Sequence, residues 1–210
     1  MLRSEASSFS DSISVKVGIL FSKLPITANQ WTVLSIVPAI LGFFALAVQH
    51  DMLLALGLFL ISGFIDIIDG AVARVTGSVS NLGAYLDGMM DRFVEGFLFF
   101  GLMFFGLPKV AILGYPMEMW PWLVLLLFVG SGMVSFSRAY ADHRKVLTDP
   151  KKLKAMGGIL ERAERLILVF AGMIVFPYYP SVLNAAIIAA ALLSCVTLFQ
   201  RMWFVVKNAE

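Results

Sequence analysis

Apolar runs far longer than a soluble core requires dominate the chain, and short clusters of charge interrupt them. Residues 32–49, 52–73, 82–107, 120–141, 156–177 and 181–206 each approach the roughly 20 apolar positions that cross a bilayer as a helix. The runs are continuous rather than alternating every second residue. Lipid offers the backbone no hydrogen bonds, so they read as helices, not barrel strands. The expected fold is all-α: a polytopic membrane protein with six transmembrane helices. Connections near 50, 108–119 and 178–180 are short and carry Pro or polar residues, whereas 142–155, "DHRKVLTDPKKLKA", is a long charged loop. No linker or shift of composition divides the chain. A single domain is therefore expected over 1–210, with 1–24 a juxtamembrane helix and connector and 25–210 the bundle.

Ahead of the first run, Phe9, Ile13, Val17, Leu20 and Leu24 recur at steps of three or four, while Lys16 and Lys23 share another face. This is the pattern of an amphipathic helix lying along the membrane interface. Pro25 ends it. The order of residues in "MLRSEASSFSDSISVKVG" differs from the basic-then-apolar order of a cleaved signal, so insertion falls to the first spanning helix.

Composition agrees with the pattern: 60% of residues are hydrophobic and 14% charged, with a mean hydropathy of +0.88. The lone Cys195 lies in an apolar run and forms no disulfide framework; its expected role is packing. Six spans would put both termini on one side, with every one of the 16 Lys and Arg residues except Lys109. The positive-inside rule makes that side cytoplasmic. Membrane lipids, not nucleic acid, are the expected surroundings.

One stretch breaks the apolar pattern. "DIIDGAVARVTGSVSNLGAYLDGMMD" sets Asp66 and Asp69 three apart at the end of the second run, and Asp87 and Asp91 four apart at the start of the third. Each pair occupies one helical face. Gly77, Ser78, Ser80 and Asn81 read as a tight turn that brings the two faces together. A carboxylate at mid-membrane costs about 2.5–3.5 kcal/mol on insertion scales, so four of them call for a cation or a wet cavity. A donor set of oxygens without clustered His or Cys favours Mg²⁺ or Mn²⁺. Two such ions stabilise both the attacking and the leaving oxygen of a displacement at phosphorus. Gly70, Ala73 and Gly83 leave room for a phosphate or nucleotide against the backbone, and Arg74 neutralises phosphate charge. Close helix packing accounts for the glycines equally well.

The spacing of Asp66, Asp69, Gly70, Ala73, Arg74, Gly83, Asp87 and Asp91 resembles the signature of the CDP-alcohol phosphatidyltransferase family. The resemblance covers essentially the whole chain. It implies a juxtamembrane helix, six spans, a homodimer, and transfer of a phosphatidyl group from a CDP-linked lipid to an alcohol with release of CMP. It further implies that Asp66, Asp69, Asp87 and Asp91 ligate two divalent ions, that Asp91 is also the general base, and that Gly70, Arg74 and Ser80 contact the CDP moiety. "ITANQWT" resembles the family's T-P-N-x-x-T element, with Ala28 in place of Pro, which makes Thr27, Asn29 and Thr32 nucleotide contacts; Thr and Asn there also suit a helix N-cap.

The acceptor is argued from arginines. Arg144, Lys145, Lys151, Lys152 and Lys154 read as a solvated face near anionic head groups. Arg138, Arg165 and Arg201 differ, each embedded among apolar residues in a separate run, and three converging arginines suit a phosphate dianion. "ERAER" and "QR" resemble the "ERPER" and "QR" elements of the branch that makes phosphatidylinositol phosphate or archaetidylinositol phosphate, with Ala163 in place of the proline. The expected acceptor is a phosphorylated polyol, inositol 1-phosphate first. "LDGMMDR" departs from that branch's "LDSTxDR", which leaves glycerol 3-phosphate, serine or a CDP-inositol-linked reaction open. The donor is CDP-diacylglycerol or CDP-archaeol. Intramembrane acids also line ion and proton paths in transporters, but no internal repeat accompanies them here, and they gather toward one membrane face beside Gly and Arg.

Overall fold

A computed structural model describes residues 14–112 and 114–209. Helix α1 covers residues 14–21, so Phe9 and Ile13 of the expected interfacial helix lie outside the described residues. The remaining helices are α2 (Ala28–Leu34), α3 (Ile36–Ala47), α4 (Met52–Thr76), α5 (Asn81–Phe105), α6 (Trp120–Leu125), α7 (Val134–His143), α8 (Pro150–Ala155), α9 (Arg162–Val175) and α10 (Pro180–Asn208). A π-helical stretch, Leu126–Met133, joins α6 to α7.

Among the described residues, four helical stretches are long and apolar enough to cross a membrane: Ala28–Ala47, Met52–Thr76, Trp120–His143 and Pro180–Asn208. Helix α5 is as long as α4, but Asp87, Asp91, Arg92 and Glu95 interrupt its apolar run. Helix α9 has only 14 residues. The 108–119 connection is more ordered than its sequence suggests. Val110–Ile112 pairs antiparallel with Tyr115–Met117, Gly114 takes φ +85° in the turn, and a 2.6 Å Lys109–Glu118 ion pair flanks the strands. β-Branched residues beside a glycine turn favour this over an open loop. The charged 142–155 loop likewise contains α8, capped by Asp149, whose side chain accepts from the Lys151 amide at 2.8 Å.

The chain divides into two compact units. The first comprises the described part of Met1–Phe44 with Gly57–Leu98, and the second Ala45–Leu56 with Phe99–Glu210. In the first, Ala28, Trp31, Ile68 and Val72 form a buried core, with Val17, Phe21 and Ile26 packed on it. Phe21 meets Trp31 edge to face at 5.6 Å. A Cβ on Gly18 would stand 2.5 Å from the Ala71 carbonyl oxygen, so only glycine lets α1 lie this close to α4. Pro38 lacks the N–H that would bond the Leu34 carbonyl, and the helix breaks at Ser35 between α2 and α3. The Ser62 hydroxyl reaches across from α4 to the Ser35 carbonyl at 2.7 Å.

In the second unit α10 is the central element, buried through Leu183, Ala186, Ile187, Ala190, Ala191 and Ser194. Small residues set its neighbours' distance: Gly172 of α9 faces Leu183, and Gly130 of the π stretch faces Ser194. Asn184 donates to the Pro108 carbonyl at 2.8 Å, tying the start of α10 to the hairpin's entrance.

Candidate active site

The turn between α4 and α5 explains how the acidic faces meet. Gly77, at φ +67°, ends α4 in the left-handed conformation that favours glycine. The Ser78 amide then bonds back to the Ala73 carbonyl at 3.0 Å. Ser80 starts α5 as its N-cap, accepting from the Gly83 amide at 3.0 Å. Only Gly77–Ser80 separates the two helices, and the chain folds back closely enough to bring Asp87 of α5 against Asp66 and Asp69 of α4.

One carboxylate oxygen each from Asp66, Asp69 and Asp87 lies within 4.8 Å of the other two, an arrangement able to hold a metal ion. Asp69 is buried, and among the described residues no hydrogen-bond donor reaches its Oδ2. A buried acceptor left without a donor is costly unless a cation completes it. The donor set is oxygen alone, which suits Mg²⁺ or Mn²⁺. Asp91 is not in this close group; it is buried one turn further along α5.

The three acids open into a cavity of about 550 Å³. Asn29 and Thr32 of α2 line it, as do Gly70, Ala73 and Arg74 of α4 and Ser80 and Gly83 at the start of α5. Ser78, expected only as a turn residue, adds to the wall, as do Ile67, Val79 and Ala84, which were not singled out from the sequence. Thr27 is outside the lining. Its hydroxyl accepts from the Gln30 amide at 3.3 Å, and Gln30 Oε1 accepts from the Thr27 amide at 2.9 Å. That reciprocal pair is the capping box for which Thr is common. A Cβ on Gly83 would stand 3.1 Å from Asn29 Oδ1, so the missing side chain makes room for Asn29 at the cavity wall. Arg74 Nη2 donates to Ser14 of α1 at 2.6 Å.

A smaller cavity, about 220 Å³, lies within the second unit, and Arg138, Arg165 and Arg201 all line it. Arg162, Glu161 and Ser135 join them. Arg165 and Arg201 are buried. The Arg138 Nη2 donates to the Met156 carbonyl. Arg201 donates through Nη1 to the Val134 carbonyl at 2.6 Å and through Nη2 to Glu161 Oε1 at 3.4 Å. Val134 directly follows the π stretch, a kind of helix irregularity frequent at functional sites.

A family model described as CDP-alcohol phosphatidyltransferase matches residues 25–204. The chain belongs to this family. Its members are transferases. An archaetidylinositol phosphate synthase from Pyrococcus horikoshii is 30% identical over 195 residues, 93% of this chain and 92% of that one. A phosphatidylinositol phosphate synthase from Mycolicibacterium smegmatis is 34% identical over 144 residues, 65% of this chain and 58% of that one. The family's fold is also seen in crystal structures of Mycobacterium tuberculosis phosphatidylinositol phosphate synthase. The one with CDP-DAG bound matches with a TM-score of 0.76 at 24% identity, covering 92% of this chain and 94% of that one. The one with manganese and citrate has the same TM-score and identity, covering 92% of this chain and 88% of that one.

Proposed function

We propose that this membrane transferase moves a phosphatidyl or archaetidyl group from a CDP-linked lipid to a phosphorylated polyol, inositol 1-phosphate first, and releases CMP. The observation that carries the choice of acceptor is the convergence of Arg138, Arg165 and Arg201 on one small cavity. Guanidinium groups gathered there suit a phosphate dianion, which free inositol and serine lack. The names of the relatives support the same acceptor class.

The nucleotide side of the reaction belongs to the larger cavity. Asn29, Thr32 and Ser80 offer hydrogen bonds to the cytidine and ribose, and Arg74 offers charge to the pyrophosphate. Asp66, Asp69, Asp87 and Asp91 would hold Mg²⁺ or Mn²⁺, which when bound supplies the positive charge that polarises the pyrophosphate and eases departure of CMP. Asp91 accepts the proton of the acceptor hydroxyl as its oxygen forms the new bond to the lipid-bearing phosphorus and the bond from that phosphorus to CMP breaks.

Six spans, both termini cytoplasmic, α1 at the interface, a single domain over 1–210 and a homodimer complete the proposal. The length of α5 and the one-sided distribution of Lys and Arg support the span count and orientation. In α1, Val17 and Phe21 pack on the core, while Ile19 and Leu20 are exposed.

The test is CMP release from purified protein given Mg²⁺ or Mn²⁺, a CDP-lipid, and in turn inositol 1-phosphate, glycerol 3-phosphate, serine and free inositol. Inositol 1-phosphate should support release and free inositol should not, and a chelator should abolish turnover. Equal rates with inositol and its phosphate would remove the arginine argument.

A further inference from the structure

The arginine cavity depends on a segment that is neither helix nor part of its lining: residues 156–160, between α8 and the N-cap of α9. Its Met156 carbonyl accepts from Arg138, and the N-cap at its end, Glu161, pairs with Arg201. What fixes the segment is α10. Thr197, fully buried, accepts from the Leu160 amide at 3.0 Å and donates to the Leu160 carbonyl at 3.3 Å. Gln200 Oε1 accepts from the Ile159 amide at 3.1 Å. A Cβ on Gly158 would collide with Thr197 Cγ2, so only glycine lets the segment lie flat on the helix. Gln200 and Arg201 follow Thr197 by three and four residues, so each neighbours it from the next turn of α10.

We infer that Thr197 and Gln200 are positioning residues for the acceptor. They clamp the 156–161 segment onto α10 so that its carbonyl and carboxylate hold Arg138 and Arg201 in register for an anion. Arginine carries several rotatable bonds, and immobilising such a side chain on binding costs conformational entropy. Bracing it beforehand moves that cost into folding and tightens the phosphate. The inference rests on the reading of the cavity as the acceptor-phosphate site.

The experiment measures CMP release by the full-length protein at varied inositol 1-phosphate and varied CDP-lipid. Thr197→Val removes the hydroxyl and keeps the shape. It should raise the acceptor KM about tenfold, the scale of one net hydrogen bond, with the CDP-lipid KM and kcat within about twofold. Thr197→Ser, which keeps the hydroxyl, should restore most of the acceptor affinity. Gln200 is exposed, so Gln200→Ala tests the clamp without a buried defect, and its acceptor KM should rise about threefold. It decides the matter should Thr197→Val fail to accumulate. Arg165→Ala is the reference: an acceptor KM unmoved there removes the reading of the cavity itself. An acceptor KM raised by Arg165→Ala but unmoved by Thr197→Val, or by Gln200→Ala where that variant decides, overturns the clamp alone. So does a parallel rise in both KM values.

Discussion

The two cavities treat charge in opposite ways. In the first, three carboxylates crowd together and the buried Oδ2 of Asp69 meets no donor among the described residues, so the acids are arranged to take up a cation. In the second, Arg138 and Arg201 already lie against carbonyls and Glu161. Those contacts satisfy part of each guanidinium without cancelling the net positive charge of the cavity. A membrane enzyme that joins two anions needs both solutions. Mobile divalent charge can come and go with the pyrophosphate, whereas fixed arginine charge selects a phosphate by geometry.

The largest effects should come from breaking the acidic side. Asp91→Asn should lower kcat about 10²- to 10⁴-fold, as expected for loss of a general base, while CDP-lipid still binds. Asp66→Asn, which alters the three-carboxylate group itself, should also weaken metal-dependent CDP-lipid binding. Full turnover in Asp91→Asn would sink the general-base role. Equal loss of lipid binding in both variants would mean that CDP-lipid binding depends on Asp91 as a metal ligand as much as on the close three-carboxylate group.

Much of this side was legible in the sequence because its geometry is local. Spacings of three and four put each acidic pair on one helical face, and Gly77 with Ser80 marked the turn that joins them. Local rules also marked Thr27 as a helix cap, and it is one. They were silent on how far Asp91 stands from the other acids, since the tilt and rotation of α5 against α4 come from packing. The second cavity was legible only as three isolated arginines. Their partners, Met156, Val134 and Glu161, lie 18, 67 and 40 residues away along the chain. The π stretch ahead of Val134 has the same apolar composition as an α-helix, and 14-residue α9 reads as a full span because an apolar run does not record where a helix begins.

Intermediate effects test the selectivity of the second cavity. Arg165→Ala and Arg201→Ala should each raise the KM for inositol 1-phosphate about 10- to 100-fold, since losing a hydrogen bond to a charged group costs about 1.5–3 kcal/mol. The KM for CDP-lipid should stay within about twofold in both. A common rise in the two constants would mean that these arginines hold the fold together rather than the acceptor. Arg201 is the sharper case. Removing it also leaves the Val134 carbonyl without its 2.6 Å partner, so a thermal unfolding measurement must accompany the kinetics to separate binding from stability.

The smallest effect falls where the first cavity does resemble the second. Among the described residues Arg74 is the one cationic side chain in the lining of the acidic cavity, and like Arg138, whose partner Met156 is not part of its cavity's lining, it is held from outside, by the Ser14 hydroxyl at 2.6 Å. Ser14 reaches it because Gly18, one turn later in α1, permits contact with Ala71 of α4. The bond is exposed, so water replaces much of what Ser14→Ala removes. The KM for CDP-lipid should rise only about two- to threefold, with the acceptor KM unchanged, as measured by CMP release with each substrate varied in turn while the other is saturating. A larger rise would mean that α1 does more than orient one arginine and itself forms part of the nucleotide site. No rise would mean that Arg74, unlike the arginines of the second cavity, finds its working position without help from a neighbouring helix.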